Sequence, residues 1–386
     1  MTDRSLVHEA LVNGPSTHVF LMGIACYPHL ADGGSRQAHD RWSFGLGQLS
    51  STSASARRLA TWFIAEFDCP NRPLGSVALL LSERKGGRSE FVNPRTGITH
   101  SVSKGTLSDT RKALLAALRR ARHPDDQFIF YFGGHGVSGG VNDFYLLRDF
   151  GADRDAPLQN MINYADFMAG MKTQIPGRQF FVFDACRAQD ERATANSNGG
   201  SGLVLADPAL RLDLAQVEQC SLHSTERDGL AYGRKDHPSV CAQAFERAMR
   251  GAAGKRSVAG WNITSGRVCE AMSDFQTLGF GPNAGIVQRP DTGAYRDFPL
   301  RRLRSAPLVP VFMRRSDGQS LEGAQITCRA NGAVVHRERS VAGRYWEGAL
   351  GIGQHDFNVV LADGSRCHPV SDAVSPTHLP IDVEVT

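Results

Sequence analysis

The stretch FIFYFGGHGVSGG, residues 128–140, gathers aromatic and apolar side chains and then breaks into glycines around one histidine. Such a run reads as a strand buried on both faces. The glycines mark a place where the backbone turns or another group comes close. The question is what His135 does at the end of that strand. The segments on either side set its context. Residues 17–26, THVFLMGIAC, form a second buried apolar run closed by Tyr27-Pro28, and 76–83, SVALLLSE, a third. Residues 178–186, RQFFVFDAC, form a fourth strand that ends on a cysteine. Helical patterns alternate with these strands. Residues 51–67 place Leu59, Trp62 and Phe63 on one face, with Arg57 and Arg58 turned away. Residues 107–126 place Leu107, Leu114 and Leu118 toward the core, with Ser108 as the expected N-cap and Pro124 beyond the end. YADFMAGMK (164–172) reads as a helix and NDFYLLRD (142–149) as a short strand or hairpin. Alternation of this kind implies an α/β fold with a mostly parallel sheet and helices on both faces.

Composition supports a folded enzyme-sized chain. The 386 residues are 41% hydrophobic and 21% charged, with a formal net charge of +4. That is globular composition, with scattered arginines that give no case for nucleic-acid binding. No apolar run approaches the roughly 18 residues that span a bilayer, and the N-terminus lacks the apolar core of a signal peptide. The expectation is a cytoplasmic protein without a membrane partner. The eight cysteines show no C-x-x-C pair, so a structural metal is not expected and most of them read as small buried hydrophobes.

Residues 187–202, RAQDERATANSNGGSG, are polar and glycine-rich, which predicts a mobile surface loop without helical or strand period from Arg187 to Leu212. QVEQCSLHST (216–225) is a further strand, and SVCAQAFERAMRG (239–251) and ITSGRVCEAMSDFQ (263–276) are helices, the first closed by Gly251. An extended segment follows over 285–300. Past Pro307, short alternating runs separated by turns such as Ser316-Asp317-Gly318 predict a small all-β sandwich. The expected division is residues 1–303 and 304–386.

In an open parallel sheet, reactive groups collect at the carboxyl ends of the strands. His135 and Cys186 each follow such a strand, and adjacency of the two strands would bring an imidazole and a thiol to one sheet edge. Gly133, Gly134 and Gly136 would let a substrate carbonyl approach, and the N–H groups of Gly136 and Cys186 are candidates for an oxyanion hole.

YFGGHG after one hydrophobic strand and FFVFDACR after the next resemble the His-Gly and Asp-x-Cys or Gln-Ala-Cys-Arg blocks of the caspase-like cysteine peptidases, including metacaspases and prokaryotic caspase homologues. The spacing of the two blocks is similar to the caspase value of about 50 residues. SLHSTERDGLAYG followed by HPSVCAQAFERAMRG resembles the end of the same core. The resemblance covers roughly residues 17–300 and implies a thiol protease with a Cys186–His135 dyad, acting on protein substrates without a cofactor. Caspases carry a glutamine two residues before the nucleophile. Here that position is Asp184, as in metacaspases, which implies cleavage after Arg or Lys with Asp184, Gly133, Glu226 and Asp228 as candidate substrate-binding residues. The Asn-Asp-Ala that opens the first helix of metacaspases is Ala54-Ser55-Ala56 here, so one expected carboxylate is missing. The acidic residues after the histidine block are Asp143, Asp149, Asp153 and Asp155, thinner than in calcium-dependent metacaspases, and no obligatory metal is expected. A zymogen processed between Arg187 and Leu212, by itself or by an activating protease, fits the polar loop beside the nucleophile. The C-terminal β module reads as a binding or docking unit, and its presence suggests by analogy a bacterial protease in an antiviral-defence or cell-death setting. The rival reading is a catalytically silent caspase-fold scaffold that binds partner proteins. An acyl or glutathione-type transferase is disfavoured, since no cofactor-phosphate loop opens a helix.

Overall fold

The computed structural model describes residues 3–35, 42–83, 89–196, 199–204, 216–280, 288–341 and 345–386. In chain order the first part comprises β1 (Leu6–Glu9), β2 (Thr17–Ile24), α1 (Ser51–Glu66), β3 (Leu74–Ser82), the hairpin β4 (Ser89–Val92) and β5 (Thr99–Val102), and α2 (Leu107–Arg120). Then come β6 (Gln127–Gly133), β7 (Gly136–Gly139), β8 (Asn142–Leu146), β9 (Met161–Asn163), α3 (Tyr164–Lys172), β10 (Arg178–Asp184), α4 (Glu191–Ala195), β11 (Glu218–His223) and α5 (Val240–Arg247). The series continues with β12 (Gly254–Ser257), β13 (Gly260–Thr264), α6 (Ser265–Phe280), β14 (Asp291–Thr292) and β15 (Pro299–Arg302).

The central sheet runs β1-β3-β2-β6-β10-β11-β14. Its five inner strands are parallel and its two edges antiparallel. β2, β3 and β6 are buried along their whole length, as continuous apolar runs covered on both faces should be. Alternate residues of β10 feed two cores. Phe180 and Val182 pack with Leu59 and Phe63 of α1 and Phe245 of α5, whereas Phe181 and Phe183 pack with Leu114 of α2 and Phe167 of α3. Helices therefore cover both faces of the sheet. The chain leaves β2 toward β3 on one side and β6 lies on the other, so a crevice opens at the carboxyl ends of β2, β6 and β10.

Two local readings are corrected. The N-cap of α2 is Thr106, whose Oγ1 accepts from Asp109 N–H at 3.1 Å, and Ser108 lies inside the helix. Thr106 holds the extended backbone that a cap requires, one residue before the first helical position. The polar segment after Cys186 is also more ordered than its composition suggests. Asp190 caps the short α4, Gln189 bridges to Ser138, Ser201 bridges to Ile162, and the Arg192 guanidinium lies 4.9 Å from the Phe44 ring centre. Residues 205–215, and with them Arg211 and Leu212, lie outside the described residues.

The C-terminal part is two facing sheets. One orders as Trp346–Leu350, Val309–Arg315, Leu379–Val383, and the other as Ala333–Arg339, Gln325–Ala330, Gly353–Val360, Val370–Val374. They enclose a core of their own built on Val311, Ile326, Trp346, Phe357 and Ile381. The sandwich rests on α6. Phe312 stacks near Phe275, and Thr377 donates to the Asp274 carboxylate at 2.6 Å with His378 3.5 Å away. Among the described residues no helix is long and apolar enough to cross a membrane.

Candidate active site

β6 ends at Gly133, and the next residues are shaped by space. None of Gly133, Gly134 and Gly136 has positive φ, so the sharp-turn reading of these glycines gives way to close approach. A Cβ on Gly136 would sit 2.4 Å from the Cys186 carbonyl oxygen, and one on Gly134 would sit 2.8 Å from the Tyr27 hydroxyl. Any side chain at either position would push apart the groups that frame His135.

His135 is held from both ends. Its backbone N–H donates to Tyr27 Oη at 2.8 Å and its carbonyl accepts from Leu146 N–H at 3.0 Å. Its ring Nε2 lies 2.8 Å from the Gly47 carbonyl oxygen, and the Tyr27 ring packs 4.9 Å away. A carbonyl only accepts, so Nε2 carries the proton and Nδ1 is the basic nitrogen. Burial drives the imidazole pKa down to about 4, while the bond to Gly47 acts in the opposite direction. At neutral pH the ring is uncharged. The ring is thus oriented by a backbone carbonyl.

Cys186 follows β10, which pairs with β6 in register, Asp184 opposite Gly133. The two strand ends are neighbours, as the sequence reading requires. Seven of the eight cysteines are buried and Cys186 is the exception. Its sulfur accepts from Ala231 N–H at 3.3 Å. Arg187 N–H donates to Gly229 O at 3.0 Å and Asp228 N–H to Arg187 O at 3.1 Å, so residues 228–231 are laced to the Cys186 sulfur and to the backbone of the residue after it. Burial pushes the thiol pKa up, with the Ala231 N–H opposing and the Asp184 charge adding to it. At neutral pH the thiol, like the imidazole, is thus uncharged.

Asp184 points to the opposite face from Phe183, under the N-termini of α1 and α5. Its Oδ2 accepts from Tyr131 Oη at 2.6 Å and from Ser239 Oγ, and Ser55 Oγ donates to Ser239. Burial raises its pKa, and the hydroxyls of Ser239, Tyr131 and Ser224 resist the shift. Its described hydrogen-bond partners are hydroxyls, with no cation among the described ion pairs. A buried carboxylate so placed is a costly arrangement that a bound cation would relieve. Gly133 lies beside it, where a Cβ would stand 3.1 Å from Tyr131 Oη and 3.4 Å from Thr52 Cβ. Glu226 is exposed, and Asp228 turns its carboxylate to Gln189 N–H at 3.3 Å, away from the hydroxyl cluster. The structure therefore groups Gly133 with Asp184 and gives Asp228 a different partner.

Arg187, read from sequence as a cleavable site, is 3% exposed and spans Asp143 at 2.9 Å and Asp291 at 2.6 Å. A side chain locked in this way cannot enter a protease cleft. Asp143, a candidate calcium ligand, is spent on Arg187 and on Ser138 Oγ at 2.5 Å, and Asp149 caps α2 through Leu107 N–H. Several groups escaped sequence reasoning. Tyr27 was visible only as the residue closing a strand. Gly47 and Ala231 act through backbone atoms, which leave no signature in side-chain identity. Tyr131 and Ser239 come from distant elements, and their meeting at Asp184 needs the fold.

The caspase-domain family model matches residues 48–265, more than half of the chain. The chain belongs to the caspase-domain family, with the caspase-like α/β core described above. Among individual proteins, it is 26% identical over 235 residues to the uncharacterized protein y4kE of Sinorhizobium fredii. That match covers 59% of this chain and 64% of the relative. Caspase-1 from Spodoptera frugiperda, a solved structure, aligns over 78% of this chain and 98% of its own, at 11% identity and a TM-score of 0.44.

Proposed function

We propose that this chain is a cysteine endopeptidase that cleaves proteins after Arg or Lys. The observation that carries the reading is the adjacency of β6 and β10, which sets His135 and Cys186 on one sheet edge, with Cys186 the one cysteine not buried. Cys186 attacks the scissile carbonyl carbon as His135 takes its proton, and His135 then protonates the departing amine. Gly136 N–H and Cys186 N–H stabilise the oxyanion. Asp184 receives the basic side chain, with Gly133 leaving room above it. Glu226 and Asp228 lie on the loop laced to Cys186 and contribute at the rim. In this reading residues 1–303 form the peptidase unit and 304–386 a docking domain, in a cytoplasmic defence or cell-death pathway.

The neutral resting pair and the 228–231 segment against the sulfur favour a zymogen, or at its extreme a silent scaffold. Processing, by the chain itself or by another protease, would fall beyond Arg187, whose ion pairs remove it as a site. The test is fluorophore release from short peptides ending in Arg, Lys, Asp or Leu, with wild type and Cys186→Ala compared. Cys186-dependent release after Arg or Lys is the expected result. Release only after Asp or Leu removes Asp184 from its role, and silence before and after limited proteolysis favours the scaffold.

A further inference from the structure

The two contacts that fix His135 come from separate loops, and one side chain joins those loops. Gln48 Oε1 accepts from Tyr27 N–H at 2.8 Å, while Gln48 Nε2 donates to Tyr27 O at 2.9 Å and to Ala31 O at 2.8 Å. The carboxamide therefore binds both backbone polar groups of Tyr27, the residue whose hydroxyl receives the His135 N–H. The residue before Gln48 supplies the carbonyl that meets the His135 ring. Leu49 N–H completes the seam by donating to Ala25 O at 2.9 Å. We propose that Gln48 is a positioning residue for His135, a clamp that holds the Tyr27 hydroxyl and the Gly47 carbonyl in register so that the imidazole keeps its proton on Nε2 and its lone pair on Nδ1.

The chemistry favours a glutamine here. Tyr27 offers one donor and one acceptor on its backbone, and a carboxamide answers both from one planar group, with a second N–H left for Ala31 O. Glutamate keeps the acceptor and loses both donor bonds, and alanine loses everything. With the clamp open, Gly47 moves off the ring, the preference for the Nε2 proton goes, and the acid–base group leaves its reactive placement. Misplacement of a reacting group by about 1 Å costs on the order of 10²-fold in rate.

The kinetic half of the proposal rests on the reading of His135 as the acid–base group, and the positional half does not. The experiment therefore takes both readouts on the full-length chain. Histidine-selective ¹⁵N labelling, with His135→Gln to identify the signal, reports the tautomer at neutral pH. The wild type should show the Nε2-protonated form, and both Gln48→Ala and Gln48→Glu should shift His135 toward a mixture with the Nδ1-protonated form. In the peptide assay kcat should fall about 10²-fold in the same variants, with KM held within about twofold. If the alanine variant fails to fold, the glutamate variant, equal in size, carries the test. A tautomer unchanged in the folded variants overturns the proposal, as does a rise in KM at constant kcat. A tautomer shift in a chain with no Cys186-dependent turnover before or after limited proteolysis upholds the clamp and rejects the peptidase reading.

Discussion

Two buried histidines contribute to the acid sensitivity of this protein. His135 and His223 are both held to a pKa of about 4, chiefly by burial. Each is depressed from an ordinary value of 6.5. The unfolded chain therefore binds more protons than the folded one between these values. Stability is fully present above pH 6.5 and is lost as pH falls toward 4, by about 3 kcal/mol for each histidine. Denaturant titrations across this window should show that slope, and His135→Gln should remove about half of it. An unchanged slope would show that other groups govern acid unfolding. At Asp184 the two hydroxyls that converge on Oδ2 leave a guanidinium little beyond Oδ1, so the bidentate advantage of arginine is blunted. Arg and Lys peptides should be turned over within about tenfold of each other, and Tyr131→Phe should tilt the ratio toward Arg. A wild-type preference for Arg above about 100-fold contradicts this account of the pocket.

Among the elements, the alternation of strands and helices and the Gly-Gly-His-Gly ending were legible because an apolar run stopped by glycine and a reactive side chain has few meanings, whereas the order of the strands in the sheet was not. The helix at 107–120 was legible from its period, although its cap lies at Thr106, one residue before the stretch read as the helix. Within the segment after Cys186, the described residues 187–196 and 199–204 carry a short helix and two bridges where a loop without period was expected, because composition carries no record of docking. Their order comes from Asp190 capping, the Ser138 and Ile162 bridges, and the Arg192–Phe44 contact. Gly136→Ala tests how tightly β7 meets Cys186. With 2.4 Å between its Cβ and Cys186 O, the change should cost about 1–3 kcal/mol and abolish turnover, measured by melting and peptide assay. Asp143→Ala should cost about 1–3 kcal/mol, since it leaves the buried Arg187 guanidinium with Asp291 as its one described carboxylate partner. N-terminal sequencing of any processed form should find no chain beginning at Ala188.

For the whole molecule, the question is how a second core is joined to the first. The sandwich closes around its own side chains, yet Phe312 belongs to the core of the α/β part, near Phe275 and Tyr345. Phe312→Ala should weaken that joint by about 3 kcal/mol and separate the thermal transition into two, seen by calorimetry. A single unsplit transition would show that the two parts melt as one without this contact. The sandwich was legible from alternation and turns, but its seat on α6 was not, because Phe275, Phe312 and His378 are far apart in sequence. The central claim is that Cys186 is a nucleophile served by His135. Its most direct test is intact-mass and peptide mapping after exposure to a peptidyl-arginine chloromethyl ketone. The account predicts one adduct, on Cys186, lost in Cys186→Ala and slowed in His135→Ala. Equal labelling of several of the eight cysteines, or a rate untouched by His135→Ala, would contradict it.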